Sequence, residues 1–122
     1  MTEVSERLHY RSGSLEWRVT ENDSFSLAEF KIAEPDGVLA PSCLADIDLP
    51  PGLDTSQGLV LSGRGPVWLY GYLVHCAHHF AWVGVYDPRL KGAVVVECHA
   101  KKSHGVGHTV RMGIADTAIA LL

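Results

Sequence analysis

The sequence predicts a small, single-domain α/β protein: a mixed β-sheet with few helices. Three observations predict it. The chain has 122 residues, one domain's length, and a chain of that size hides roughly two-thirds of its unfolded surface. Its 47% hydrophobic and 20% charged residues are the balance of a globular protein rather than a disordered one. Two short apolar runs, Gly58–Ser62 and Phe80–Tyr86, flank a stretch of helical length. Strand, helix and strand in that order predict a right-handed crossover between parallel, buried strands.

Taken in order, residues 1–13 are polar and read as a flexible leader, leaving residues 14–122 as the domain. Leu15, Trp17 and Val19 alternate with Glu16 and Arg18, the period of a half-buried strand. Glu21-Asn22-Asp23-Ser24 is a turn, and Phe25, Leu27, Phe30 and Ile32 form a second strand that closes a hairpin. Pro35-Asp36-Gly37 ends it. Pro41-Ser42 opens one short helix, and Pro50-Pro51-Gly52 imposes a loop. After Gly58–Ser62, Gly63-Arg64-Gly65-Pro66 leads into a helix from Val67 to about His79, with proline where a missing N–H costs nothing. Phe80–Tyr86 is a strand, residues 87–92 turn the chain, and Ala93–Cys98 is a β-branched strand. A loop from Lys101 to Gly107 precedes a last strand over His108–Met112. The apolar tail, residues 113–122, suits a short helix or an oligomer contact.

Charge and cysteine content exclude several classes. The net charge of −4 is wrong for bulk electrostatic binding of nucleic acid, so double-stranded DNA is not an expected partner. The charge is uneven: residues 1–50 carry −6 and residues 51–122 carry +2, which places an anionic ligand on the C-terminal half. Three cysteines, an odd number without CxxC spacing, argue against a disulfide framework or a zinc knuckle. Residues 1–12 hold no apolar signal core, and the longest apolar runs fall far short of the ~20 residues of a membrane span. A reducing, cytoplasmic location without membrane attachment is the expectation.

Three constellations can carry chemistry. Ser62-Gly63-Arg64-Gly65-Pro66 joins a strand to a helix start, whose free N–H groups and partial positive charge suit a phosphate, with Arg64 able to grip its oxygens. The plain alternative is a tight turn with a solvated arginine. His75, His78 and His79, spaced i, i+3 and i+4, share one helical face. Imidazole titrates near neutrality and ligates intermediate metals, so the trio suits metal binding or proton transfer; simple burial or exposure explains one of them more readily than all three. Asp87 ends a buried strand and is followed by Pro88-Arg89, with His99 closing the next strand. A carboxylate at that edge can bind a divalent ion or accept a proton, or it can bond its own turn. Trp68, Tyr70, Tyr72 and Trp82 read as core rather than as base-stacking platforms, and Cys76 and Cys98 as small buried hydrophobes.

The segment LVLSGRGPVWLYGYLVHCAHHFAWVGVYDPRLKGAVVVECH, residues 59–99, resembles the CRISPR-associated ring nuclease family that degrades cyclic tetra-adenylate and needs manganese. The shared features are Ser-Gly-Arg-Gly-Pro followed by an aliphatic/Trp pair, a His-rich helix end, Val-Tyr-Asp-Pro-Arg-Leu, and a valine strand closing on His. Asp54-Thr55 before Gly58 also fits. The chain departs from the pattern by one extra residue at Lys91-Gly92 and by its own loop after His99.

The resemblance implies a fold distantly like the sensor domains that bind cyclic oligoadenylates, the CARF and Rossmann-like folds. It implies a homodimer whose copies pair face to face into a tetramer around cyclic tetra-adenylate. On matching positions, His78 and Asp87 would be catalytic. Ser62, Gly63, Arg64, Gly65 and Arg89 would bind substrate, and His75, His79 and His99 would hold Mn2+. The activity implied is a metal-dependent phosphodiesterase that linearises the ring and switches off an antiviral signal. Competing readings are a non-catalytic binder of the same nucleotide, an exoribonuclease on RNA tails, and a structural α/β module with scattered histidines.

Overall fold

The apolar run that begins at Gly58 takes the centre of the sheet, where strands are covered on both faces. The computed structural model describes residues 5–99 and 105–112. Its strands are β1 Ser5–Ser12, β2 Leu15–Glu21, β3 Phe25–Ile32, β4 Gly58–Gly63, β5 Trp82–Asp87, β6 Gly92–Cys98 and β7 Thr109–Arg111. They form one sheet in sequential order, β1 to β7. The three central strands β3, β4 and β5 are parallel, and the wings β1–β2–β3 and β5–β6–β7 are antiparallel. A 3-10 helix over Pro41–Asp46 lies in the β3–β4 connection, and α1, Val67–Cys76, forms the β4–β5 crossover. The predicted small α/β domain with a mixed sheet and few helices is the observed one.

The two faces are covered differently. On the first, Leu15, Trp17, Val19, Phe30, Leu59 and Leu61 pack against Leu69 and Leu73 of α1, with Ile47 and Phe80 at the margins. On the second, Phe25, Leu27, Val60, Trp82, Ala93 and Val95 form a cluster without helical residues. The Trp82 indole occupies the space that a Cβ on Gly58 would need, and Phe25 meets it edge to face with ring centroids 5.8 Å apart. Further along β3 from this cluster, Glu29 is buried and held by the guanidinium of its cross-strand partner Arg18, whose Nη2 donates to Oε1 at 2.9 Å and Oε2 at 3.1 Å. A paired charge is tolerable there where a lone one is not.

Two expectations change. Residues 5–12, read as leader, form edge strand β1, paired along β2 from Ser5↔Glu21 to Ser12↔Leu15. Its polar sequence hid it, because an edge strand contributes backbone pairing without needing an apolar face. Helix α1 stops at Cys76, three residues early. Ala77 leaves helical geometry at φ −93, ψ 7, and the His78 ring takes the His75 carbonyl that continued helix would have used. The tail, residues 113–122, and residues 101–104 of the predicted loop lie outside the described residues. Among the described residues no helix is long and apolar enough to cross a membrane.

Candidate functional site

The C-terminal edge of the parallel strands is built first by glycine. Gly63 ends β4 with φ +153, and a Cβ there would lie 2.5 Å from the Phe30 carbonyl oxygen. Only glycine fits, so the chain is free to swing out as Gly63-Arg64-Gly65. Tyr70, from the first turns of α1, donates its hydroxyl to the Gly63 carbonyl at 2.5 Å. Burial outweighs that hydrogen bond and pushes the Tyr70 phenol up to about 12, so it remains a donor at all ordinary pH. Phe30 packs edge to face on the same ring, with centroids 5.3 Å apart. Tyr70 is therefore the buttress of this loop. Sequence reasoning placed it in the core; the usable signal was that a buried tyrosine hydroxyl needs a partner.

Helix α1 starts from this loop. Its N-cap is Pro66, with no side-chain capping bond and no acidic residue in the first turn. Arg64 is exposed beside it, and Ser62 is buried at the strand end. Asp87 reaches the same edge on the neighbouring strand, because the β4–β5 register pairs Leu61 with Val85, two residues short of Gly63 and Asp87. The Asp87 carboxylate accepts the Arg89 backbone N–H at 2.9 Å and weaker contacts from its guanidinium at 3.4 and 3.5 Å. The backbone hydrogen bond, then the side-chain one, hold its pKa below the ordinary carboxylate value. Asp87 thus stays ionised and steadies Arg89. The turn-bonding alternative is the geometry found, and it makes Asp87 a poor proton shuttle near neutrality.

The histidines stand at the other edge. Helix α1 runs antiparallel to the strands it connects, so its C-terminus returns to where β5 begins. The His75 and His78 rings stack with centroids 5.8 Å apart, and His79 lies 5.7 Å from His78. His99 follows β6 and donates its backbone N–H to the Ala81 carbonyl at 2.8 Å, which brings it to this edge too. The rings are oriented. His78 Nδ1 lies 2.9 Å from the His75 carbonyl oxygen; a carbonyl only accepts, so Nδ1 carries the proton and neutral His78 presents the Nε2 lone pair to solvent. His99 Nε2 lies 2.9 Å from Glu97 Oε1, which by the same logic leaves Nδ1 as its free nitrogen.

The expected catalytic pair is therefore not joined within one chain. β5 has six residues, and at ~3.3 Å per residue its ends lie about 17 Å apart, with His78 before one end and Asp87 at the other. The expected metal trio is not assembled either. Among the described residues no three His, Cys, Asp or Glu side chains can hold one ion, so His75, His79 and His99 of a single chain do not fit as a complete manganese site. What the structure brings together is Ser62 to Gly65 with Asp87 and Arg89 on one edge, and His75, His78, His79 and His99 on the opposite one.

A mixed sheet with the Gly63-Arg64-Gly65 loop and the Asp87–Arg89 turn at one edge and a group of histidines at the other defines a small α/β protein. The family described as "CRISPR-associated protein (Cas_csx3)" matches residues 32–111, a span that contains both edges. The chain belongs to this CRISPR-associated family. An uncharacterized protein of Aquifex aeolicus (strain VF5) is 40% identical over 101 residues, covering 80% of this chain and 88% of its own.

Proposed function

We propose that the protein is a ring nuclease: a phosphodiesterase that opens cyclic tetra-adenylate and so ends an antiviral signal. The observation that supports it best is the division of labour between the two edges. Cleaving an RNA phosphodiester requires neutralised phosphate oxygens, an activated oxygen nucleophile and a protonated leaving oxygen. Arg64, Arg89 and the uncapped start of α1 serve the first need. The exposed Nε2 of His78 serves the second, accepting the proton of the attacking oxygen, and a neighbouring protonated imidazole serves the third. Asp87 keeps Arg89 in place.

Neither edge suffices alone, so two copies must face each other with the ring between them. Symmetric pairing of homodimers into a tetramer supplies both edges and multiplies the two arginines around four phosphates. Since the histidines of one chain do not complete a metal site, manganese dependence is a property to be measured, with any remaining donors coming from a second copy or the ligand.

The separation of the edges is also what favours the alternative, a non-catalytic binder that needs only the arginine edge. One experiment separates them. The protein is incubated with excess cyclic tetra-adenylate, with manganese or with chelator, and products are resolved by chromatography. Linear oligoadenylate formed over many turnovers, lost in His78→Ala, supports the nuclease. Tight binding with an intact ring overturns it in favour of the binder.

A further inference from the structure

A cavity of about 390 Å³ opens on the histidine edge, between the loop Asp48–Leu53 and the end of α1. Its size falls within the range of small-ligand pockets, about 300–1,000 Å³. Its walls are of two kinds. Leu49, Pro50 and the buried Phe80 form an apolar slot, and Asp48, Thr55 and His79 bring polar groups to its mouth. His79 and Phe80 have ring centroids 5.0 Å apart at 41°, and both line the cavity. The Asp48 side chain makes no hydrogen bond or ion pair among the described residues. Its negative charge is nevertheless felt by the nearby Tyr72 phenol, whose pKa is raised first by burial and then by Cys76 and Asp48.

We infer that this cavity receives a purine base, adenine if the ligand is the ring proposed above, on which reading the choice of base rests. A flat heteroaromatic ring suits an apolar slot capped by an imidazole. An unpaired carboxylate is an acceptor only and matches the exocyclic amino group of adenine, while the Thr55 hydroxyl can donate to a ring nitrogen. The cavity shares His79 with the histidine edge, so a base seated here brings its own ribose and phosphate toward His78. Asp48, neither one of the arginine-edge groups nor one of the imidazoles, becomes a specificity-determining residue.

The test uses nuclear magnetic resonance on the full chain titrated with adenosine monophosphate and, separately, inosine monophosphate, which carries a carbonyl in place of the amino group. Adenosine monophosphate is expected to shift the amides of residues 48–55 and 76–80, binding at least about fivefold more tightly than inosine monophosphate. Asp48→Asn should erase most of that discrimination without unfolding the protein, since the group is exposed. With cyclic tetra-adenylate the same variant should raise KM about fivefold at unchanged kcat. Shifts confined to residues 62–67, equal binding of the two nucleotides, or unchanged discrimination in the variant would each overturn the inference. The proposed activity fails separately: a wild-type protein that cleaves the ring but ignores the nucleotide in this cavity loses the pocket alone, and one that seats the nucleotide here but leaves the ring intact loses the nuclease alone.

Discussion

Consider protein carrying His78→Ala mixed one to one with protein carrying Asp87→Ala. Both positions are exposed or half-exposed, so each variant should fold, and each alone should lose cleavage of cyclic tetra-adenylate by about 100-fold or more, His78→Ala as one lost acid–base group and Asp87→Ala because it releases Arg89 from its place on the phosphate. In one chain the two groups lie at least about 17 Å apart by strand rise, whereas reacting atoms must sit within about 3–3.5 Å of the groups that serve them. A working site therefore takes its histidine from one copy and its Asp87–Arg89 turn from another. In a random mixture half of the copies carry an intact histidine and half an intact aspartate, so about one quarter of facing edges regain both. Initial rates at equal total protein should recover to about a quarter of the wild-type value, against almost nothing from either variant alone. A mixture no more active than its two components would refute the shared-site argument, because a site within one chain cannot be complemented.

Other expectations follow from single contacts. Tyr70→Phe removes the donor to the Gly63 carbonyl and should lower stability by about 1 kcal/mol, a shift in Tm of roughly 3–5 °C, with weaker ligand binding because the Arg64 loop loosens. Lys91 has φ +51, in the region that costs a non-glycine residue about 1 kcal/mol or more; Lys91→Gly should stabilise by a few tenths to about 1 kcal/mol in urea unfolding. Arg18→Leu leaves the Glu29 carboxylate buried and unpaired and should cost about 2–3 kcal/mol, discounted from a fully buried pair because Arg18 is one-third exposed. The lowered pKa of Asp87 implies stability that is present above the unfolded value near 4 and lost as pH falls through the folded one. Any limb in the cleavage rate between about pH 5 and 9 should therefore persist in Asp87→Asn, if residual activity is measurable.

The centre of the fold was legible because physics writes it plainly. A strand covered on both faces, such as Leu59-Val60-Leu61, must be apolar at successive positions, and Pro66 marks a helix start unmistakably. Strand β1 was illegible for the converse reason: Ser5–Ser12 needs no apolar pattern to pair along an edge. The end of α1 depended on a tertiary detail, the His78 ring claiming the His75 carbonyl. Within the site, the placement of Ser62–Gly65 and Asp87 at strand ends was readable. The assignment of histidines and Asp87 to one cluster was not, although the direction of a crossover helix already returns its C-terminus to the start of the next strand. Tyr70 was read as core because an aromatic at helical spacing reads as packing until its hydroxyl is asked for a partner.

The strictly consecutive strand order has a bearing on biosynthesis. Each new strand leaving the ribosome finds its neighbour already made and waiting beside it, with no gap reserved for a later arrival. The longest waits before the next pairing are the excursions after β3 and β4, and the second of these coils into a helix on its own timescale. Such a chain can grow its sheet outward in the order of translation, with one unfinished border exposed at any moment.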